Sequence, residues 1–367
     1  MNTTNRYMPD YAIHPGEILE ETLQARGILK SDFARRCGIS AKTVSQIISG
    51  NAPVLPDVAL HFERVLGVSS TIWNNLNAQY ELYQAQLAES ALLAEKKCWV
   101  KQFPVSAMVK KGWVCKCKDV GEQAGELLNF LGVASVNVWE EDFGSMQVAY
   151  RKSNSFESKP HAVAAWLRRG EIDAGMCYTA PYSEEVFKAS LLGIRKMSVL
   201  PPKEFGPKIK KLCSDAGVAL VLVGELPGIH LSGAARWLNP QKALIQLSLR
   251  HKSNDHFWFS FFHEAAHILK HAKKQVYLDD VKSGNTDLEE EANTFARNFL
   301  IPSKAYREFC KSRLFTAATV RSCARRLGIA PGIVVGRLQH DKLIPFGYLY
   351  ELKKKFELVD SRQETGV

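Results

Sequence analysis

The stretch 258–271, WFSFFHEAAHILKH, decides the reading of this chain. Its apolar residues recur at helical spacing, and His263 and His267, four residues apart, therefore share one face of a helix. Two imidazoles so placed can bind one metal ion. A catalytic zinc ion takes three protein ligands, with imidazole nitrogens at about 2.0 Å, and leaves its fourth position to water. Glu264 is adjacent to His263 but rotated around the helix, where it can face that water. Its role would be general base, taking a proton during attack on a peptide carbonyl and returning it to the departing amine. At this chain's residue frequencies an HExxH pattern arises by accident about 0.02 times, so its surroundings must decide.

The surroundings supply a second helix at 288–302, LEEEANTFARNFLIP, ended by Pro302. On a helical wheel Leu288, Ala292, Phe295, Ala296, Phe299 and Leu300 form the buried stripe, and of the three glutamates only Glu289 lies at its margin. Glu289 is thus the expected third ligand. Glu290 and Glu291 read as a solvated acidic face. Asn293 is one turn beyond Glu289 on the same side, where its amide can hold a metal-binding histidine. His271 continues the i, i+4 series, but two turns from His263 it reaches too far and reads as a capping or surface residue. A metzincin site requires a histidine at position 273, which is Lys273 here. His230, in GIHLSG, reads as a loop histidine rather than a transition-state donor.

Upstream, GVALVLVGEL and ALIQLSLR are rich in Val, Leu and Ile and read as strands leading into the HExxH helix. The front of the chain is a run of short helices. GEILEETLQARG stops at Gly27. Ser31 can N-cap SDFARRC, Gly38 ends that helix with a left-handed turn, and Ser40 can N-cap SAKTVSQIIS. This is helix-turn-helix spacing. Phe33, Ala34, Ile39, Val44 and Ile47 would pack the pair, leaving Ser40, Lys42, Thr43, Ser45 and Gln46 to meet phosphates and base edges. Pro56 opens a further helix that closes at Gly67, and a long exit helix runs from Ser70 to about Lys97.

ARRCGISAKTV at 34–44 is echoed by ARRLGIAPGIV at 324–334. In the second copy apolar residues replace the polar readers, so it reads as a packing element. The expected fold is therefore α+β, mainly α. A five-helix DNA-binding domain with a long exit helix spans 1–97 and a mixed spacer 98–203. A metallopeptidase domain with a small sheet spans 204–350, including a helix-turn-helix-like segment at 316–340, and a basic, flexible tail covers 351–367.

Composition agrees with a folded protein: hydrophobic residues make up 46% of the 367 and charged residues 23%. The net charge of +10 is uneven, for residues 1–90 hold 7 basic and 9 acidic side chains while 301–367 hold 13 basic and 6 acidic. Overall charge therefore cannot locate a DNA-binding face. The start has no apolar leader, no stretch is long enough to span a bilayer, and the eight scattered cysteines suit reduced thiols, with the lone Cys115–Cys117 pair a weak metal signal. A cytoplasmic protein is expected.

On these residues the chain resembles the ImmA/IrrE metallopeptidases, fused behind a HigA-type Xre helix-turn-helix. HPGEILEETLQARG and the front helix-turn-helix carry one half of the resemblance. FHEAAHILKH, EEEANTFARNFLIP and GIVVGRLQHDKLIPFG carry the other. It implies one zinc ion on His263, His267 and Glu289, with Glu264 as base. It further implies cleavage of a helix-turn-helix repressor, or of the chain itself, in a stress, toxin–antitoxin or mobile-element setting. Operator DNA bound as a homodimer and a toxin partner are implied by the HigA half. Ala265 and Ala266 stand where many relatives have a bulkier residue and a glycine, a departure that touches packing rather than ligation. The alternative is a HigA-like antitoxin and repressor whose peptidase-like half is a non-catalytic sensor or partner-binding module.

Overall fold

The computed structural model describes residues 12–141, 143, 158–248, 250–271, 277–280 and 287–356. The chain divides into two compact units, 1–97 with 117–125, and 98–116 with 126–367.

The first unit is built on helices α1 (Pro15–Ala25), α2 (Lys30–Cys37), α3 (Ala41–Ile48), α4 (Pro56–Leu66) and α5 (Ser70–Ala94). Leu19, Phe33, Val44, Ile47, Phe62 and Trp73 close its core. The α2–α3 turn follows from local chemistry: Gly38 adopts φ +66°, a left-handed conformation that costs glycine little, and the Ser40 hydroxyl accepts from the Thr43 N–H at 3.0 Å. Helix α2 starts earlier than its sequence suggests. The Phe33 N–H donates to the Leu29 carbonyl at 2.9 Å, which makes Leu29 the N-cap and places Ser31 inside the first turn, without a capping role. At Gly16 an added Cβ would lie 2.0 Å from the Ile47 carbonyl oxygen, so glycine lets α1 and α3 touch backbone to backbone.

Short helices α6 (Lys97–Val100), α7 (Val105–Lys110) and α8 (Val120–Leu131) lead onward to the elements of the second unit, α9 (Pro160–Gly175), α10 (Glu184–Lys196) and α11 (Pro202–Asp215). Strands β1 (Val218–Leu222), β2 (Leu231–Asn239), β3 (Lys242–Leu247) and β4 (Tyr277–Asp280) form one sheet in the order β1-β3-β2-β4. The β1–β3 pair is parallel and the other two are antiparallel. Helix α12 (Asn254–Lys270) runs between β3 and β4, and α13 (Asp287–Leu300), α14 (Ser303–Lys311), α15 (Ala317–Leu327) and α16 (Pro331–His340) follow β4.

Period-2 alternation gives the sheet two different faces. Gln246 donates to the Trp166 carbonyl at 2.7 Å, and Arg236 reaches Glu171 at 2.7 Å and the Leu167 carbonyl, so one face seats α9. The segment expected as a separate spacer thus contributes a helix to the sheet's own unit. On the other face Ala235, Ala243 and Ile245 meet Phe261, Phe262 and Ala265 of α12. Sequence reading found β1 and β3 but not β2. LSGAARWLN lacks the β-branched, alternating pattern because its Gly and Ala residues exist to admit helices on both sides.

Helix α12 is fixed at its start by the end of the chain. Added Cβ atoms at Gly332 and Gly336 would lie 2.5 Å from Asn254 Oδ1 and 2.5 Å from Asp255 Oδ2, so α16 packs against it with no room to spare. Beyond α16, the Asn254 N–H donates to the Lys354 carbonyl at 2.9 Å, the Phe356 N–H to the Lys252 carbonyl at 2.9 Å, and Lys353 Nζ meets Asp255 Oδ2 at 2.6 Å. Residues 351–356 are consequently a strap and not a free basic tail, because Leu352 and Phe356 bury their side chains between the lysines. Residues 357–367 lie outside the described residues. Among the described residues no helix is long and apolar enough to cross a membrane.

Candidate metal centre

Helix α12 is buried along most of its length, which is what brings titratable groups into the interior. His263, Glu264 and His267 are 1%, 0% and 0% exposed. Burial, reinforced by the adjacent His263 and His271 rings, pushes His267 down to about 2. It is therefore a neutral imidazole at any ordinary pH, with a lone pair to offer.

Helix α13 packs across α12 and delivers Glu289. Its Oε2 lies 3.2 Å from His263 Nε2 and its Oε1 3.5 Å from His267 Nε2, while the two Nε2 atoms are 3.0 Å apart. A tetrahedral ion with ligand bonds of about 2.0–2.1 Å spaces its ligand atoms about 3.3 Å apart. The three edges match that spacing. The donor set of two imidazoles and one carboxylate also suits a divalent ion of borderline softness, and no other group of three His, Cys, Asp or Glu among the described residues converges this way.

The outer ring nitrogens are held too. His263 Nδ1 lies 3.1 Å from Asn293 Oδ1, so the amide oxygen accepts from the ring N–H and leaves Nε2 as the free donor of electrons. His267 Nδ1 lies 2.8 Å from His271 Nδ1, and His271 Nε2 faces Glu291 Oε2 at 3.4 Å. With the lone pair of His267 Nε2 turned to the site, its Nδ1–H donates to His271, whose own proton then sits toward Glu291. Lys270 holds the far oxygen of Glu291 at 2.6 Å. His271 is buried at the C-cap of α12, so it is not a surface residue, and Glu291 is not simply solvated. The helix ends at residue 270, and the break in the backbone turns the His271 ring back onto His267, which helical periodicity could not anticipate. Glu290 pairs instead with Arg297, and Leu288, expected in the buried stripe, is 39% exposed because it stands in the helix's first turn.

Glu264 faces the sheet. A Cβ added to Gly233 would come within 2.5 Å of Glu264 Oε1, so the carboxylate lies directly against the backbone of β2. Gly233 was not singled out from the sequence. Its signal was a glycine within an apolar strand, which marks close approach of another group. His230 is engaged by Arg250, whose guanidinium meets both its carbonyl and, at 3.2 Å, its Nδ1.

In the first unit Lys42, Ser45 and Gln46 are exposed along the outer side of α3, Thr43 is half-buried, and the Ser40 hydroxyl is shared with Thr43 at 2.8 Å. The corresponding helix of the second copy, α16, buries Ile333, Val334, Val335 and Leu338, in keeping with a packing element.

Comparison with known proteins matches residues 230–339 to the IrrE N-terminal-like domain and residues 19–73 to a helix-turn-helix family. The chain is 32% identical over 72 residues to an uncharacterized HTH-type transcriptional regulator of Escherichia coli, YddM, covering 20% of this chain and 77% of that protein. Among solved structures, the Pseudomonas aeruginosa antitoxin HigA, determined with the higBA promoter, is 34% identical over 22% of this chain and 90% of that chain, at a TM-score of 0.22. PA4674 of the same organism, determined with its operator DNA, is 35% identical over 21% of this chain and 85% of that chain, at a TM-score of 0.21. Sequence matches and site geometry lead to one assignment: the chain belongs to the Xre-type helix-turn-helix regulators and joins that domain to an IrrE/ImmA-like peptidase-family domain.

Proposed function

We propose that this protein is a DNA-binding regulator with a zinc-dependent endopeptidase activity, in which His263, His267 and Glu289 hold one zinc ion and Glu264 is the catalytic base. The observation that carries the proposal is the set of 3.0, 3.2 and 3.5 Å edges among the three donor atoms, beside a buried glutamate one residue along the same helix. Zinc bound there supplies a Lewis acid that acidifies water and polarises a peptide carbonyl. Glu264 takes the proton from the attacking water and passes it to the leaving amine. Asn293 fixes the His263 ring, and His271 with Glu291 fixes His267, so both present Nε2 to the site. Gly233 keeps the β2 backbone out of the way of the Glu264 carboxylate.

The first unit is proposed to bind operator DNA through Ser40, Lys42, Thr43, Ser45 and Gln46, as a homodimer in the cytoplasm. The substrate is a helix-turn-helix repressor or the chain itself, which couples cleavage to relief of repression in a stress, mobile-element or toxin–antitoxin setting. A toxin partner belongs to the last of these. The test is metal analysis and cleavage together. Zinc at one equivalent, lost in His263→Ala, with cleavage of a candidate repressor abolished in Glu264→Gln while zinc and DNA binding persist, is the expected result. Cleavage that survives Glu264→Gln would sink the mechanism.

A further inference from the structure

We infer that the chain cuts itself within the exit helix α5, between Leu82 and Glu89, and so separates its DNA-binding helices from its metal-bearing domain. The inference rests on the hydrolytic reading of the metal centre and gives that reading a scissile segment.

Helix α5 has 25 residues, of which Trp73 alone is buried. Its start belongs to the core of the first unit: Trp73 meets Phe62 edge-on at 5.5 Å, Asn77 Oδ1 accepts from the Val54 N–H at 3.0 Å, and Tyr80 packs against the His14 ring at 4.7 Å. Its end is covered by α8, for Cβ atoms added at Gly121 and Gly125 would lie 3.0 Å from the Ser90 carbonyl oxygen and 3.8 Å from Leu93 Cδ1. Between these anchors lies LYQAQLAE, residues 82–89, in which every residue but Tyr83 is exposed. Leu82 is 59% exposed and Leu87 48%.

Helical propensity is what holds this stretch. The charged side chains of α5 are Glu81 and Glu89, with no lysine or arginine among them, so no ion pair along the helix supports it. A helix without tertiary packing is marginal in water, and opening one from within creates two new helix ends, at a statistical weight on the order of 10⁻³. A peptide must be extended to reach a metal centre as enclosed as this one, where His263 is 1% exposed. Residues 82–89 can extend while the core of the first unit stays closed. They lengthen from about 12 Å as helix to about 26 Å as strand.

Leu82, Tyr83 and Leu87 give the opened strand apolar side chains to bury. Burying one exposed leucine in a cleft is worth roughly 10- to 100-fold in binding, which offsets part of the opening weight. Hydrolysis consumes one water: its oxygen bonds to the carbonyl carbon, the C–N bond breaks, and Glu264 carries the water's proton to the new amine. The N-terminal product keeps Trp73, hence its core, and keeps Lys42, Ser45 and Gln46 on α3. What it loses is the link to His263, His267 and Glu289. Cleavage is slow by construction, because about one molecule in a thousand is open at any moment.

Two measurements on the full-length protein test this. In the first, wild type prepared without metal is loaded with zinc and followed by intact-mass spectrometry, with Glu264→Gln as the control. Fragments that meet within residues 82–89 should accumulate in the wild type and not in the control. Ala85→Gly with Ala88→Gly, both at exposed positions, should hasten the cut about 30-fold, since each glycine weakens the helix about fivefold. The second reads the opening without any cleavage, by hydrogen exchange on Glu264→Gln. Peptides covering 82–89 should show protection of about 10³, lowered about 30-fold by the two glycines, while α4 is protected more strongly. A cut elsewhere in the chain, or a candidate repressor cut while the chain stays whole, overturns the assignment and leaves the hydrolytic reading standing. Protection across 82–89 equal to that of α4, as a second copy packed on this stretch would give, overturns it too. Opening as expected with neither the chain nor any repressor cut overturns the hydrolytic reading, and the assignment with it.

Discussion

Replacing Gly233 with alanine adds a single methyl group at the most constrained point of the candidate site. That carbon would stand 2.5 Å from Glu264 Oε1, 2.9 Å from its Cγ and 3.0 Å from its Cδ. The closest contact is roughly 1 Å inside van der Waals distance. The strand cannot retreat easily, since Gly233 pairs with Leu247 on one side and Asp279 on the other. Nor can the helix, whose Phe261 and Phe262 are fully buried on either side. Glu264 must therefore move its carboxylate, and a base displaced by about 1 Å leaves the 2.6–3.2 Å reach that proton transfer requires. Cleavage should fall about 100-fold or more, towards the 10²–10⁴-fold range of a lost general base, with an overpacking cost of about 1–3 kcal/mol in stability. His263, His267 and Glu289 are untouched, so zinc should remain at one equivalent. Peptide cleavage, metal analysis and urea denaturation on the same preparations separate these effects. The Gly233→Ala, Glu264→Gln double variant should be no less active than Glu264→Gln alone, because both act through one carboxylate. Wild-type cleavage by folded, zinc-bound Gly233→Ala would refute the reasoning.

The ring of groups behind the ligands predicts that His271→Ala or Glu291→Gln weakens zinc binding about 10–100-fold without abolishing it, read by competition with a chromogenic chelator. Breaking the buried Asp255–Lys353 pair with Lys353→Met should cost about 3–5 kcal/mol in chemical denaturation, and pairing it with Asp255→Leu should recover much of that loss. Stripping the metal with a chelator should lower the melting temperature of the second unit, and zinc at about 1,000 times its dissociation constant should restore about 4 kcal/mol. Lys42→Glu should weaken operator binding and reduce the slope of log affinity against log salt by about 1 or more, since one phosphate contact is lost. A slope unchanged in Lys42→Glu would remove that residue from the DNA interface.

What could be read from the chain depended on how local its cause was. The convergence of the candidate ligands was legible in part: helical periodicity alone puts His263 and His267 on one face, and Glu289 is singled out because its neighbours in the acidic run fall off the margin of the apolar stripe. The α2–α3 turn was legible from Gly38 and Ser40. Strand β2 was not, since its small residues answer to helices on both faces of the sheet rather than to strand propensity. The role of His271 was hidden because it depends on where the helix breaks. The strap at 351–356 was hidden because a lysine run usually means a solvated tail. Here Leu352 and Phe356 anchor it, and Lys353 finds a buried partner 98 residues earlier in the chain, at Asp255.

The two helix-turn-helix copies show how one local sequence serves two ends. Both turns are closed by a glycine at φ +66°, Gly38 and Gly328, after an identical Ala-Arg-Arg run. Local chemistry therefore makes the same turn twice. What differs is the helix that follows. In α3 the outer positions are Lys42, Ser45 and Gln46, all exposed, so the helix is free to meet a partner outside the chain. In α16 Gly332 and Gly336 sit one turn apart and let the backbone close on Asn254 and Asp255, at a distance no larger side chain permits. The helix that would read a groove has become the clamp on the helix that carries His263, Glu264 and His267. It follows that Gly336→Ala, far from any ligand in sequence, should lift the start of α12 and loosen the metal site. Conversely, making α16 more polar would not create a second DNA-binding surface, because the face concerned is already occupied by the protein's own interior.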